Sequence, residues 1–217
     1  MRYEIKIPFH INYKTNIKNY LIDIKSLERQ FSNRTVNSIY FDTKDFQFAR
    51  HNIEGISKRF KFRTRWYNND SKNFKYEIKR KINKLGSKST YINNSNQLPI
   101  ENLFCSKNNF LCNQLKNDEK YFINILNLIP IIKISYLREY FIYKNKVRIT
   151  IDHTPSYESI SHSNILRQYD KFSVLEFKFE EENYHYAKNL IKKSLINPKR
   201  YSKYIKGLSL MNKIVYF

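Results

Sequence analysis

In the segment SKRFKFRTRWY, basic side chains occupy every second position: Arg59, Lys61, Arg63 and Arg65. Successive side chains of a strand point to opposite faces, so these four share one face and Phe60, Phe62 and Trp66 lie off it. Other segments repeat the pattern. Lys75, Glu77, Lys79 and Lys81 alternate in FKYEIKRKI, and Tyr136, Arg138 and Tyr140 in ISYLREYF. Arg148, Thr150 and Asp152 do so in VRITID, Glu176, Lys178 and Glu180 in VLEFKFE, and Arg2, Glu4 and Lys6 near the N-terminus. Rows of cations suit phosphate oxygens, because arginine's planar fork binds them bidentately and lysine acts as a mobile point charge. Binding a polyanion is the chemistry such rows could carry, since its charge would offset their mutual repulsion.

Two orientations of these faces compete. A half-buried strand ordinarily turns its charged face to water. Here the residues off the charged phase are bulky, and helices need an apolar surface to pack on. Like charges two residues apart on a strand lie about 7 Å from each other, costing roughly 2 kcal/mol per pair at an effective dielectric near 20. Repeating that over several strands favours charges turned inward around a polyanion. The carboxylates in the same phase refine the picture. Glu4 and Glu176 either pair with neighbouring lysines or hold Mg²⁺ or Mn²⁺, hard cations that take oxygen ligands and bridge phosphates. For Glu4 the two roles are balanced; for Glu176 the metal role is favoured.

The elements that must position these rows follow from periodicity. Strands are expected over 2–8, 36–42, 57–67, 74–82, near 87–93, and over 131–143, 146–153 and 172–180. Asn68-Asn69-Asp70 and Lys144-Asn145 supply turns. A helix is expected near 15–31, with Ile17, Tyr20, Leu21, Ile24, Leu27 and Phe31 on one stripe. Another, over 182–195, has acidic residues at its start, Lys192 and Lys193 at its end, and Pro198 beyond. Short helices are expected within 98–128 and near 202–212. About eight antiparallel strands point to an α+β fold built on a closed β-barrel, which removes unpaired edges.

Composition narrows the classes. The chain of 217 residues has three Gly, five Pro and no Ser/Gly-rich linker, so one domain over 1–217 is expected. Aromatic residues at 16% and apolar residues at 41% can build a core, which argues against disorder. A net charge of +21 favours an anionic partner: nucleic acid, an anionic membrane surface or polyphosphate. Carboxylates in phase with the cations argue against nucleic acid. No apolar run approaches the roughly 18 residues of a membrane span, and MRYEIKIPFH reads as a strand rather than a signal peptide. Cys105 and Cys112 form neither a disulfide framework nor a zinc motif and fit reduced thiols in the cytoplasm. With glycine only at 55, 86 and 207, a P-loop is impossible, and HExxH is absent.

Eight segments in order, RYEIKIPF, SIYFDT, GISKRFKFRTRWY, YEIKRK, SYLREYF, VRITID, VLEFKF and YSKYIKG, run through nearly the whole chain. Together they resemble the VTC domain, the polyphosphate polymerase branch of the triphosphate tunnel metalloenzymes (the CYTH-like superfamily). That resemblance implies a β-tunnel that takes the terminal phosphate of ATP and extends a polyphosphate chain with Mn²⁺ as metal. It implies that Lys6, Arg63, Arg65, Lys79, Arg138 and Arg148 act on the phosphates, with Glu176 as metal ligand. Tyr136 matches the tyrosine of a tyrosine-x-arginine pair, and Ser202 and Lys203 match a serine-lysine near the last helix. Lys61, Lys88 and Lys178 complete the expected phosphate contacts, and Glu4 joins Glu176 as a metal candidate. In GSKSTY the arginine that follows the lysine in the family pattern is absent. Hydrolysis of triphosphate or polyphosphate, or polyphosphate binding without catalysis, would use the same tunnel.

Overall fold

Alternation in the sequence becomes sidedness in the sheet. The structure, a computed structural model, describes residues 2–82, 85–92, 128–160 and 166–215. Among them are nine strands: β1 (Arg2–His10), β2 (Leu27–Asp42), β3 (Lys58–Tyr67), β4 (Lys75–Ile82), β5 (Leu85–Ile92), β6 (Ile129–Tyr143), β7 (Val147–Ser159), β8 (Arg167–Tyr169) and β9 (Phe172–Glu180). Four α-helices accompany them: α1 (Lys14–Ile22), α2 (Gln47–Ile53), α3 (Tyr184–Lys193) and α4 (Lys203–Leu210). All ladders are antiparallel, in the order β1-β9-β7-β6-β2-β3-β4-β5, with the short β8 on β7. Among the described residues no helix is long and apolar enough to cross a membrane.

One expectation needs correction here. Among the described residues the sheet is not closed, for β1 and β5 stand at opposite ends of the strand order. Alternation dictates which face a side chain takes but not whether two edges pair. Side chains span the gap instead: Lys79 Nζ of β4, the strand next to the far edge, donates to Glu4 Oε2 of β1 at 2.9 Å.

The outer face is apolar. Ile7 and Phe9 of β1, Ile149 and Ile151 of β7, and Leu175 and Phe177 of β9 are buried with Ile17 and Leu21 of α1 and Ala187 and Leu190 of α3. Further along, Ile39, Phe41, Phe62, Trp66, Tyr76 and Ile78 form a second outer cluster with Phe48 of α2. The inner face carries the charges, except at one end, where α4 packs Tyr204, Ile205 and Leu208 against Val36, Ile132, Ile134 and Tyr157. Gly207 permits that approach. A Cβ there would lie 2.5 Å from the Tyr157 ring and 2.8 Å from Ile132.

Boundaries differ from expectation where ladders override local periodicity. The first helix ends at Ile22, and Leu27 and Phe31 belong to β2, facing Tyr143 and Tyr140 across the ladder. Ser26 turns the chain between them at φ 66°. β7 runs on to Ser159, and α2 and β8 were not foreseen. The helices expected within 98–128, with Cys105 and Cys112, lie outside the described residues apart from Leu128.

Candidate active site

Lys61, Arg63 and Arg65 project from β3 to the inner face, and each meets a different kind of partner. Arg63 donates through Nε to Glu77 Oε2 at 2.8 Å and through Nη1 to Tyr40 Oη at 2.7 Å. Arg65 donates to Ser38 Oγ at 3.1 Å and to Tyr136 Oη at 3.4 Å, with Glu77 3.8 Å away. Lys61 Nζ donates to Ser202 Oγ at 2.7 Å, and among the described residues it makes no ion pair with a carboxylate. Ser202 Oγ also caps α4 by accepting from the Ile205 backbone N–H at 3.4 Å. The alternation read along β3 thus delivers three cations to one surface, and α4 brings Ser202 to meet the first of them.

Three buried carboxylates organise the cations. Glu77, on β4, takes Arg63 and also Lys88 of β5, at 2.9 Å. Asp152, on β7, is wholly buried and receives Arg138 through Nε at 2.5 Å and Nη2 at 2.7 Å, and Lys203 besides. Glu176, on β9, lies 3.0 Å from Lys178, 3.4 Å from Arg138 and 3.9 Å from Lys6. Tyr136 links the groups: Arg138 lies over its ring at 5.3 Å and Lys203 at 4.6 Å.

Protonation follows from these neighbours. Burial works against the charge of Glu77, but Arg63, Arg65 and Lys88 outweigh it and hold the carboxyl well below its usual range. Burial likewise opposes Asp152, whose carboxyl Arg138 and Lys203 bring down to about 2. Glu176 is buried too and is held low by Lys178, Lys6 and Arg138. Lys61 goes the other way: burial first, then Lys6, Lys79 and Arg63, push its ammonium well below the usual lysine range.

Among the described residues the inner face therefore brings Lys6, Lys61, Arg63, Arg65, Lys79, Lys88, Arg138, Lys178 and Lys203 together with the carboxylates Glu4, Glu77, Asp152 and Glu176. Arg148 shares their face, opposite Lys178 in the ladder, but is exposed at its end. Sequence reading gave no site role to Glu77 and Asp152, although both alternate with basic residues. Tyr40 and Ser38 were missed as well, because nothing local marks a residue whose role is to orient an arginine across a ladder.

Glu4 and Glu176 approach one another across Lys6 Nζ, which is 2.9 Å from Glu4 and 3.9 Å from Glu176. Each carboxylate bears on the protonation of the other. Among the described residues no third acidic, histidine or cysteine side chain completes a metal cluster with them. Two hard oxygen donors fit a divalent ion that arrives with phosphates, as Mg²⁺ commonly binds, rather than one held in an all-protein cage.

The model of the VTC domain family matches residues 2–212. No protein of curated function matches the chain. Solved structures share the fold at low identity. A candidate adenylate cyclase from Bacillus halodurans superposes with a TM-score of 0.61 at 14% identity, covering 94% of each chain. A candidate adenylyl cyclase from Hippeastrum, described as having a dominant triphosphatase activity, gives 0.59 at 11% identity over 99% of this chain and 98% of its own. A candidate adenylate cyclase from Vibrio parahaemolyticus gives 0.53 at 12% identity over 95% and 98%.

Proposed function

The chain belongs to the VTC domain family, and we propose that it is a metal-dependent polyphosphate polymerase that moves the terminal phosphate of ATP onto a growing polyphosphate chain. The observation that carries this reading is Lys61. Its half-buried ammonium lies near Lys6, Lys79 and Arg63 with a serine hydroxyl as its hydrogen-bond partner, an arrangement that a bound polyanion would relieve. The excess of cations over carboxylates around it suits a chain of phosphates rather than one.

In this reading Arg63, Arg65 and Arg138 orient phosphate oxygens with guanidinium groups already braced by Glu77, Ser38 and Asp152. Preorganised donors stabilise developing charge without reorganising during reaction. Lys6, Lys61 and Lys203 neutralise charge as mobile ammonium groups. Glu176 and Glu4 would hold a divalent ion, Mn²⁺ or Mg²⁺, whose charge would neutralise the phosphates. Dependence on ATP accords with a cytoplasmic location.

A second reading is hydrolysis of triphosphate by the same groups. It is favoured by the description of the Hippeastrum protein, with which this chain shares its fold. Incubation with ATP and Mn²⁺, followed by gel separation and phosphorus NMR, separates the two. Phosphoanhydride chains longer than triphosphate support polymerisation, and free phosphate alone supports hydrolysis.

A further inference from the structure

In the first half of its ladder with β6, strand β2 slips register between Arg29 and Phe31 and again between Phe31 and Arg34. Such irregularities re-aim side chains. Here they bring Phe31 opposite Tyr140 and Arg34 opposite Arg138, so that both lie on the inner, charged face. Tyr67, at the end of β3, joins that face as the second residue beyond Arg65. The Phe31 and Tyr140 rings meet edge to face with centroids 5.7 Å apart. The Arg34 guanidinium lies over Phe31 at 5.5 Å and over Tyr67 at 6.0 Å.

This rim is unlike the rest of the inner face. Phe31 is 47% exposed and belongs to none of the three apolar cores. Arg34 makes no ion pair among the described residues, whereas Arg63, Arg65 and Arg138 each lean on a buried carboxylate. The exposed Phe31 ring has no polar atom with which to hold a phosphate, and the half-buried Tyr67 and Tyr140 set ring surface beside it. Rings with an arginine plane beside them are what a flat heteroaromatic base stacks on. The distance is suitable too: Tyr140 is two residues along β6 from Arg138, about 7 Å in a strand. A ribose bridges that kind of gap between a base and its phosphates.

We propose that Phe31, Arg34, Tyr67 and Tyr140 form a nucleobase platform at the mouth of the phosphate site, which makes a nucleoside triphosphate the donor in preference to inorganic triphosphate. The proposal rests on the phosphate reading above and adds base recognition to it. Stacking is sequence-tolerant but stronger for larger bases, so purine nucleotides bind better than pyrimidine nucleotides.

Calorimetric titration of the full chain with ATP, UTP and inorganic tripolyphosphate, each with Mg²⁺, tests it. Phe31→Ala weakens ATP at least about fivefold, leaves tripolyphosphate unchanged, and removes the preference for ATP over UTP. Phe31→Tyr restores ATP binding. Phe31 is exposed, so the fold tolerates both changes, and circular dichroism checks this. Equal weakening of ATP and tripolyphosphate would make the rim a phosphate contact and overturn the platform, as would no weakening of either. If the wild-type chain bound neither ligand, the phosphate reading itself would fall and the platform with it.

Discussion

Arg138 and Asp152 join through two parallel hydrogen bonds, Nε to Oδ1 at 2.5 Å and Nη2 to Oδ2 at 2.7 Å, across the β6–β7 ladder. Asp152 also receives Lys203 from the start of α4, so one carboxylate fixes two cations from distant parts of the chain. Breaking a buried pair from one side leaves an uncompensated charge and typically costs about 3–5 kcal/mol. Asp152→Asn is therefore expected to lower stability by about 3 kcal/mol, seen as a lower urea midpoint with unchanged slope. Tripolyphosphate should recover part of the loss, because a ligand that binds only the folded state stabilises it. An unchanged midpoint would remove Asp152 from its bracing role.

Acid should unfold the protein through the same carboxylates. Asp152 is held at about 2, and Glu77 and Glu176 are also held below the usual range. Groups whose folded pKa is depressed contribute stability that is complete above their unfolded pKa, near 4, and lost as pH falls through the folded value. The melting temperature is thus expected to be nearly flat from pH 7 to about 5 and to fall from about pH 4 towards 2. The fall should be shallower in Asp152→Asn. A melting temperature insensitive to pH over that window would contradict the pairing.

The inner face was legible in the sequence because a strand's period is fixed, so the phase of Arg59, Lys61, Arg63 and Arg65 needed no tertiary information. The bulky off-phase residues Phe62 and Trp66 indicated which face would be covered, and both are buried. Edge pairing was not legible. Whether β1 meets β5 depends on curvature summed over the whole sheet, which no segment encodes. The start of β2 was hidden for another reason. Leu27 and Phe31 continue the helical spacing of Ile17, Leu21 and Ile24, yet a ladder to β6 claims them. Glu77 and Asp152 were in phase and readable, but their burial under arginines appears only once β3 lies beside β4 and β6 beside β7.

Lys61 leads to a prediction about protons. Its ammonium is destabilised by burial and by three neighbouring cations, so a phosphate that binds beside it should draw a proton onto the group. Titration with tripolyphosphate at a series of pH values below the usual lysine range, in buffers of different ionisation enthalpy, is expected to reveal net proton uptake. Lys61→Met should abolish most of that uptake. Equal binding enthalpy in all buffers would mean that Lys61 is charged before the ligand arrives.

Glu176 separates metal holding from phosphate holding. If it carries the divalent ion, Glu176→Gln should abolish Mn²⁺-dependent turnover. Binding of tripolyphosphate without metal should persist or tighten, because a negative charge has left the inner face. Electron paramagnetic resonance of Mn²⁺ reports the loss of the ion directly. Full turnover across a Mn²⁺ titration would exclude Glu176 as a ligand.

The last prediction weighs a recessed phosphate site against an exposed basic surface. A surface groove would bind duplex DNA and polyphosphate alike, with affinity falling steeply in salt as counterions are released. The cations here are instead set on the inner face, paired with its carboxylates, and α4 packs against one end of it. Arg65, Arg63 and Arg138 are mostly buried and tied to Glu77 and Asp152, so the backbone of a wide duplex could not reach them. A thin phosphate chain could. Labelled polyphosphate is therefore expected to be displaced by tripolyphosphate at physiological salt, and far more weakly by duplex DNA at equal phosphate concentration. The comparison should hold as salt is raised, since partly buried charges are screened less than exposed ones. Equal displacement by DNA would mean that the exposed lysines, and not the inner face, carry the anion affinity.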